Sequence, residues 1–232
     1  MSRSRSPLRR SAMAHHGLEG SEAAHHASGA RITTGLHEER LNAVISQLLA
    51  ANAHSVLDLG CGEGDLLIRL ADQPQFVRIV GVDISPAVLS QARHSLDLRA
   101  NTDGRRIELR YASFTEANGH LCGFDAAVLL ETIEHIDPNR LSLVENAVFG
   151  CYRPLIVLVT TPNYEYNVLH GMRPGALRHP DHRFEWDRRR FRRWAFGVAS
   201  RNGYCVEFDD IGALNATLGA STQMAIFRIT KN

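Results

Sequence analysis

From Leu36 onward, apolar positions alternate between helical and strand spacing. In LHEERLNAVISQLLA, Leu41, Val44, Ile45, Leu48 and Leu49 recur every three or four residues, which predicts an amphipathic helix with one buried stripe. HSVLDLGCGEGDLLIRLA reads as a short apolar strand, a glycine-rich turn and a helix. RIVGVDIS, RIELRYASF, FDAAVLLETIEHID and PLIVLVTTPN continue as strands, separated by the helices PAVLSQARHSLDL and LSLVENAVFGCY. Strands alternating with helices at this spacing predict an α/β fold, a Rossmann-like, mostly parallel sheet with helices on both faces.

The rhythm breaks in two places. Residues 1–30 are rich in Ser, Arg, Ala and His without sustained apolar period, and read as a disordered tail preceding a single domain over 31–232. His15, His16, His25 and His26 are scattered within it and define no metal site. The tail lacks the apolar core of a secretory signal. Past Asn167, the Gly, Pro and His of NVLHGMRPGALRHPDHRFEW predict a long loop, 168–186, of the kind that carries function inside a compact domain. The basic helix DRRRFRRWAFGVASRNG follows, with Phe191, Trp194, Ala195 and Val198 on one side and Gly203 placed as its C-cap. TQMAIFRIT closes the chain as a last strand.

Charge sharpens this picture. The formal net charge is only +1, but Arg173 to Arg201 holds nine arginines against Asp181, Glu185 and Asp187. A basic stripe on a slightly acidic body fits a polyanion-facing surface. Lys231 is the only lysine, so arginine is favoured throughout and a solvated helix face remains the alternative. No run of eighteen apolar residues exists to span a membrane. Cys61, Cys122, Cys151 and Cys205 form no C-x-x-C pair, so a reducing compartment, the cytoplasm, is expected.

The turn Asp58-Leu-Gly-Cys-Gly-Glu-Gly64 lets backbone approach a ligand at the carboxyl end of the first strand. It is not the dinucleotide spacing G-x-G-x-x-G, because Asp65 stands three after Gly62. Asp58 precedes the turn and suits an amine, while Asp83 ends the second strand and suits two ribose hydroxyls. A nicotinamide-binding domain or a glycine turn without ligand is the competing reading. DLGCGEG strongly resembles the first motif of the class I S-adenosylmethionine-dependent methyltransferases. By that resemblance Gly60 and Gly62 pass beneath the methionine part of S-adenosylmethionine, Asp83 grips the ribose, and Ser113 lies near the adenine.

Glu131, Glu134 and His135 follow the fourth strand at offsets that share one face if the segment turns helically. Carboxylates and imidazole are ligands for a divalent ion, and His179 or His182 from the long loop can complete the set. Small-molecule methyltransferases carry a similar turn in which the histidine is structural or a general base, so these residues alone leave both readings open.

ETIEH, TTPNYEYN and RHPDHRFEW, in that order, resemble the small-RNA 3′-terminal 2′-O-methyltransferases, the family named in plants for the HUA enhancer, and its bacterial members above all. The resemblance runs from Leu36 to the end. It implies Glu131, Glu134, His135 and His182 as the metal ligands and catalytic group, and leaves His179 as a loop residue. It implies S-adenosylmethionine and a divalent metal (Mg2+ or Mn2+) as cofactors, single-stranded RNA 3′ ends as substrate, and an RNA-repair kinase-phosphatase-ligase as a partner. The ion would activate the 2′-hydroxyl while touching both hydroxyls of the terminal ribose, with His135 or another base taking the proton. Arg188, Arg189, Arg190, Arg192 and Arg193 are candidate RNA phosphate contacts; Trp186 either stacks on a base or packs the basic helix onto the domain. Asp187 departs from the Thr that commonly follows FEW, and Ala112 from a usual glycine. A quinone-biosynthesis type of small-molecule O-methyltransferase and a non-catalytic RNA-binding subunit are the alternatives; neither gives a role to all of these residues.

Overall fold

A computed structural model describes residues 35–97 and 106–230. The predicted tail and its histidines lie outside the described residues. Helix α1 (Gly35–Ala50) buries Leu41, Val44 and Leu48, while Ile45 and Leu49 flank that stripe. Strand β1 (Ser55–Leu59) leads through the glycine turn to α2 (Asp65–Ala71), β2 (Arg78–Asp83), α3 (Pro86–Asp97) and β3 (Ile107–Tyr111). Then come β4 (Ala126–Leu130), α4 (Leu141–Val144), which runs into a π-helix (Glu145–Tyr152), and β5 (Ile156–Pro162). Helix α5 (Arg188–Asn202) and strands β6 (Tyr204–Ile211) and β7 (Thr222–Ile229) complete the described chain.

The seven strands order as β3-β2-β1-β4-β5-β7-β6. The first five are parallel, and β7 runs antiparallel to both β5 and β6. Side-chain alternation splits the sheet's apolar residues between two cores. Leu57, Leu59, Val157 and Val159 face the π-helix and α5, whereas Val56, Ile79, Val128 and Leu158 face α1 and α2. Strand order reverses between β1 and β4, so a crevice opens at their carboxyl ends, the usual ligand position in such sheets.

Three local outcomes differ from the sequence expectation. Strand β6 was not anticipated, although Tyr204, Val206 and Phe208 alternate with Cys205, Glu207 and Asp209 in it; its acids face outward along a sheet edge. The helix read across LSLVENAVFGCY widens from α to π at Glu145. The loop after Asn167 begins later than expected, because Tyr164–His170 forms a 3-10 turn whose Asn163 side chain accepts from Glu165 N–H. Helix α5 begins as its sequence implies: Asp187 accepts from Arg190 N–H at 2.6 Å, and Gly203 ends it with φ +73°.

Candidate active site

Each end of the glycine turn is tied to β2. Gly60 and Cys61 N–H both donate to the Val82 carbonyl, and Asp83 accepts from Gly62 N–H at 3.2 Å and from Ser85 N–H at 2.9 Å. Gly60 has φ +81°, and a Cβ there would stand 2.7 Å from Thr132 Cγ2. Gly62 has φ +54° with nothing within 4 Å of such an atom, so its open side is free for a ligand. Asp58 is buried, and its Oδ2 has no hydrogen-bond partner. Burial, then the charges of Asp83 and Asp65, push its carboxyl up to about 7. Such a group is poised for a cationic partner.

Beyond Asp83 lies a cavity of about 630 Å³, walled by Ile84, Tyr111, Ser113 and Asn118. Ile84 and Tyr111, 64% and 70% exposed, present apolar surface to this cavity. Ser113 Oγ is 2.7 Å from Thr115 Oγ1.

The second half of the crevice starts at Glu131, whose φ of +50° is left-handed. That conformation costs a non-glycine residue about 1 kcal/mol or more and collects at functional sites. Glu131 N–H donates to Thr160 Oγ1 at 2.9 Å, which anchors the bend. Glu131 pairs with Arg40 of α1 at 2.9 Å, and Glu134 accepts from Thr161 Oγ1 at 3.0 Å. One oxygen of each carboxylate is buried with no hydrogen-bond partner. Burial raises both carboxyls; the Glu131 charge raises Glu134 further, while Arg40 opposes the rise in Glu131. Beyond the Arg40 ion pair, two neighbouring buried carboxylates are costly without further cationic compensation.

The predicted loop folds over this pair. Glu134 O accepts from Arg183 N–H at 2.7 Å, and the rings of His135 and His182 stand 4.9 Å apart. His182 Nδ1 is 2.7 Å from Glu185 Oε1, so its Nε2 is the nitrogen left for another partner. His135 is exposed at the surface, and partial desolvation, then the His182 and His179 charges, lower its pKa. Among the described residues, one set of three donor side chains places its atoms within 4.8 Å of one another: His135, His179 and His182. Glu131 and Glu134 stand outside that set, and His179, unmatched in the sequence reading, stands inside it.

Several residues that hold this geometry received no role from the sequence. Glu185 is buried and also accepts from Asn167 Nδ2 and Arg178 N–H, each at 2.6 Å. The Arg178 guanidinium binds Asn167 Oδ1, Ser221 and the Asn163 carbonyl. Gln223 donates to the Pro162 and Trp186 carbonyls, clamping the loop's end. Arg178 and Glu185 belong to RHPDHRFEW, so the motif carried their signal; Arg40, far away in sequence, left none.

The arginines of α5 divide. Arg188 is engaged by Glu165 at 2.7 Å and by the Thr217 carbonyl. Arg190 lies over Trp186 and Arg192 over Phe208. Arg189 and Arg193 are exposed, as Arg190 and Arg192 are, but neither is stacked on a ring among the described residues. Trp186 is buried, stacked on Phe184 at 4.3 Å, and so packs the helix onto the domain.

Residues 57–152 match a methyltransferase-domain family profile. The solved methyltransferase domain of bacterial CtHen1 is 40% identical, with a TM-score of 0.77, covering 84% of this chain and 100% of that one. The chain belongs to the small-RNA 2′-O-methyltransferase family. Its fold is that of the class I S-adenosylmethionine-dependent methyltransferases. The small RNA 2′-O-methyltransferases of Rattus norvegicus and Arabidopsis thaliana are 34% and 32% identical over 85% and 83% of this chain. The chain spans 52% of the rat protein and 22% of the plant one. Among the described residues, no helix is long and apolar enough to cross a membrane.

Proposed function

We propose that this chain transfers a methyl group from S-adenosylmethionine to the 2′-hydroxyl of the 3′-terminal ribose of single-stranded RNA, with a divalent cation held by Glu131, Glu134, His135 and His182. The observations that carry the reading are the buried, unpartnered carboxylate oxygen on each of Glu131 and Glu134 and the close rings of His135 and His182, although the glutamates do not share the tight spacing of the histidine cluster. Two carboxylates and two imidazoles fit manganese or magnesium, and the nitrogen content favours manganese. When bound, the cation withdraws charge from the terminal hydroxyls and so acidifies the 2′ one.

The chain's own groups supply the rest. Asp58 accepts the ammonium of the methyl donor, and Asp83 accepts from its ribose hydroxyls. Ile84 and Tyr111 enclose the adenine beside Ser113. Glu185 holds the proton of His182 on Nδ1, leaving Nε2 directed to the site. His179 matches no ligand position in the family resemblance, although it clusters with His135 and His182; its Nδ1 accepts from Asp181 N–H at 3.2 Å. An internal nucleotide has its 3′ oxygen esterified and DNA lacks the 2′-hydroxyl, so only an RNA 3′ end presents the oxygen pair. Arg189 and Arg193 are the arginines best placed for backbone phosphates. Partnership with an RNA-repair kinase-phosphatase-ligase is proposed from family membership alone.

The deciding experiment offers labelled S-adenosylmethionine with short RNA bearing a free or a periodate-oxidised 3′ end, across divalent ions and in chelator. Transfer only to the free end, and only with an ion, is expected. Equal labelling of both ends, or full activity in chelator, refutes the corresponding half of the proposal. Labelling of a phenolic small molecule but not RNA would assign the chain to small-molecule O-methylation.

A further inference from the structure

Cys122 and Cys151 are far apart in sequence, yet their sulfurs lie 3.9 Å from each other. Both side chains are half-buried, so neither is sealed in the core as Cys61 is. Cys122 ends the 3-10 turn Gly119–Leu121, and Cys151 sits in the last turn of the π-helix. Two hydrogen bonds already join these segments. Cys122 Sγ donates to the Cys151 carbonyl at 3.3 Å, and the Tyr152 hydroxyl donates to the Glu116 carbonyl at 2.6 Å.

We propose that Cys122 and Cys151 form a paired-thiol oxidation site, which a peroxide converts to a disulfide. One thiolate attacks the peroxide oxygen, giving a sulfenic acid and releasing water. The second thiol displaces the sulfenic hydroxyl as water and forms the S–S bond. The two thiols lose two electrons and two protons in all, and the peroxide is reduced to two waters.

The geometry asks for little movement. A disulfide brings its sulfurs to about 2.05 Å, so the pair must close by less than 2 Å. Gly123, immediately after Cys122, has φ +78° and can absorb that shift without a side-chain penalty. The thiol of Cys122 is pushed up by burial and by Cys151, which slows its attack near neutral pH.

The consequence falls on the cofactor cavity. Glu116, Ala117, Asn118 and Gly119 form one of its walls, and they precede Cys122 directly. A bond from Cys122 to the π-helix fastens that wall to the sheet's core-packed layer. It also closes a loop of about thirty residues, which restrains the unfolded chain.

Titration of the full chain with hydrogen peroxide tests this, read by intact mass, peptide mapping and hydrogen exchange. Expected is a product lighter by two hydrogens, reversed by dithiothreitol, with Cys122 and Cys151 joined and both protected from alkylation. Exchange across residues 114–122 should slow severalfold in that product, and the melting temperature should rise by several degrees. Cys122→Ser and Cys151→Ser should each abolish the mass change, whereas Cys205→Ser should keep it. Independent alkylation of both thiols after oxidation, a sulfinic acid in place of the bridge, or unchanged exchange over 114–122 would overturn the proposal.

Discussion

His182 Nδ1 lies 2.7 Å from Glu185 Oε1, and the Glu185 side chain has no solvent exposure. Burial alone would raise this carboxyl; hydrogen bonds from His182, Asn167 and the Arg178 N–H outweigh it and hold it below the usual range. The ionised form therefore persists and fixes the His182 tautomer. Glu185→Gln keeps the shape but removes the charge. Its expected effect is a loss of cation affinity of roughly tenfold to a hundredfold, with a parallel loss of methyl transfer. Titration with Mn2+ followed by electron paramagnetic resonance checks it, and wild-type affinity in the variant would deny Glu185 this role.

Glu134 is the most deeply buried member of the proposed ligand set. Without a cation its charge is disfavoured by burial and by Glu131. Glu134→Gln should therefore fold at least as stably as wild type in chelator, while methyl transfer falls by two orders of magnitude or more. His182→Ala should show the same loss of transfer. Binding of S-adenosylhomocysteine should stay within about threefold of wild type in both, because Asp58 and Asp83 lie in the other half of the crevice. Calorimetric titration separates the two effects, and a matching collapse of cofactor affinity would mean that the halves are not independent.

Asp58 supplies a pH signature. Its carboxyl is raised from 3.8 to about 7 in the folded chain, so the folded state holds a proton that the unfolded state has lost. Its contribution to stability is complete below pH 4, declines as pH rises towards 7, and is constant beyond. Three units correspond to on the order of 4 kcal/mol. In the absence of cofactor, Asp58→Asn should flatten the fall in melting temperature between pH 5 and 7. Cofactor affinity should move the other way, rising with pH through about 7 in wild type as the carboxylate becomes available to the ammonium. Parallel melting curves for wild type and Asp58→Asn would remove Asp58 as the titrating group.

The fold was legible because its strands and helices differ in period, and many changes of period coincide with a glycine or a proline, such as Pro74, Pro86, Pro154 and Gly203. The glycine turn and Asp83 could be placed from the sequence because local spacing fixes them at strand ends. Strand β6 escaped, since an edge strand with outward acids lacks the apolar run of its buried neighbours. The supports of the second half of the site escaped for a different reason. Arg40 meets Glu131 across 91 positions of sequence, and Glu185, a near neighbour of His182 in the chain, is held in place by Asn167, eighteen positions away. Periodicity describes which face a residue takes, whereas such pairings depend on tertiary closure. His179 shows the same limit: nothing in its spacing announces that its ring stands 5.9 Å from that of His135.

The arginines of α5 should separate by experiment as they do by geometry. Arg188 is held by Glu165 and Thr217, so Arg188→Ala should lower stability, by about 1 kcal/mol for a half-exposed pair, before it touches RNA binding. Arg189 and Arg193 are exposed residues of the helix that, among the described residues, make no aromatic stacking contact of the kind Arg190 and Arg192 make. A phosphate contact releases condensed counterions, so each residue that makes one contributes about 0.7 to the slope of log affinity against log salt on single strands. The double variant Arg189→Ala, Arg193→Ala should therefore reduce that slope by about 1.4 while leaving the melting temperature and cofactor affinity unchanged. Fluorescence anisotropy with a short labelled RNA between 50 and 200 mM salt measures it. An unaltered slope would return these two arginines to an ordinary solvated face and place the RNA backbone elsewhere on the domain.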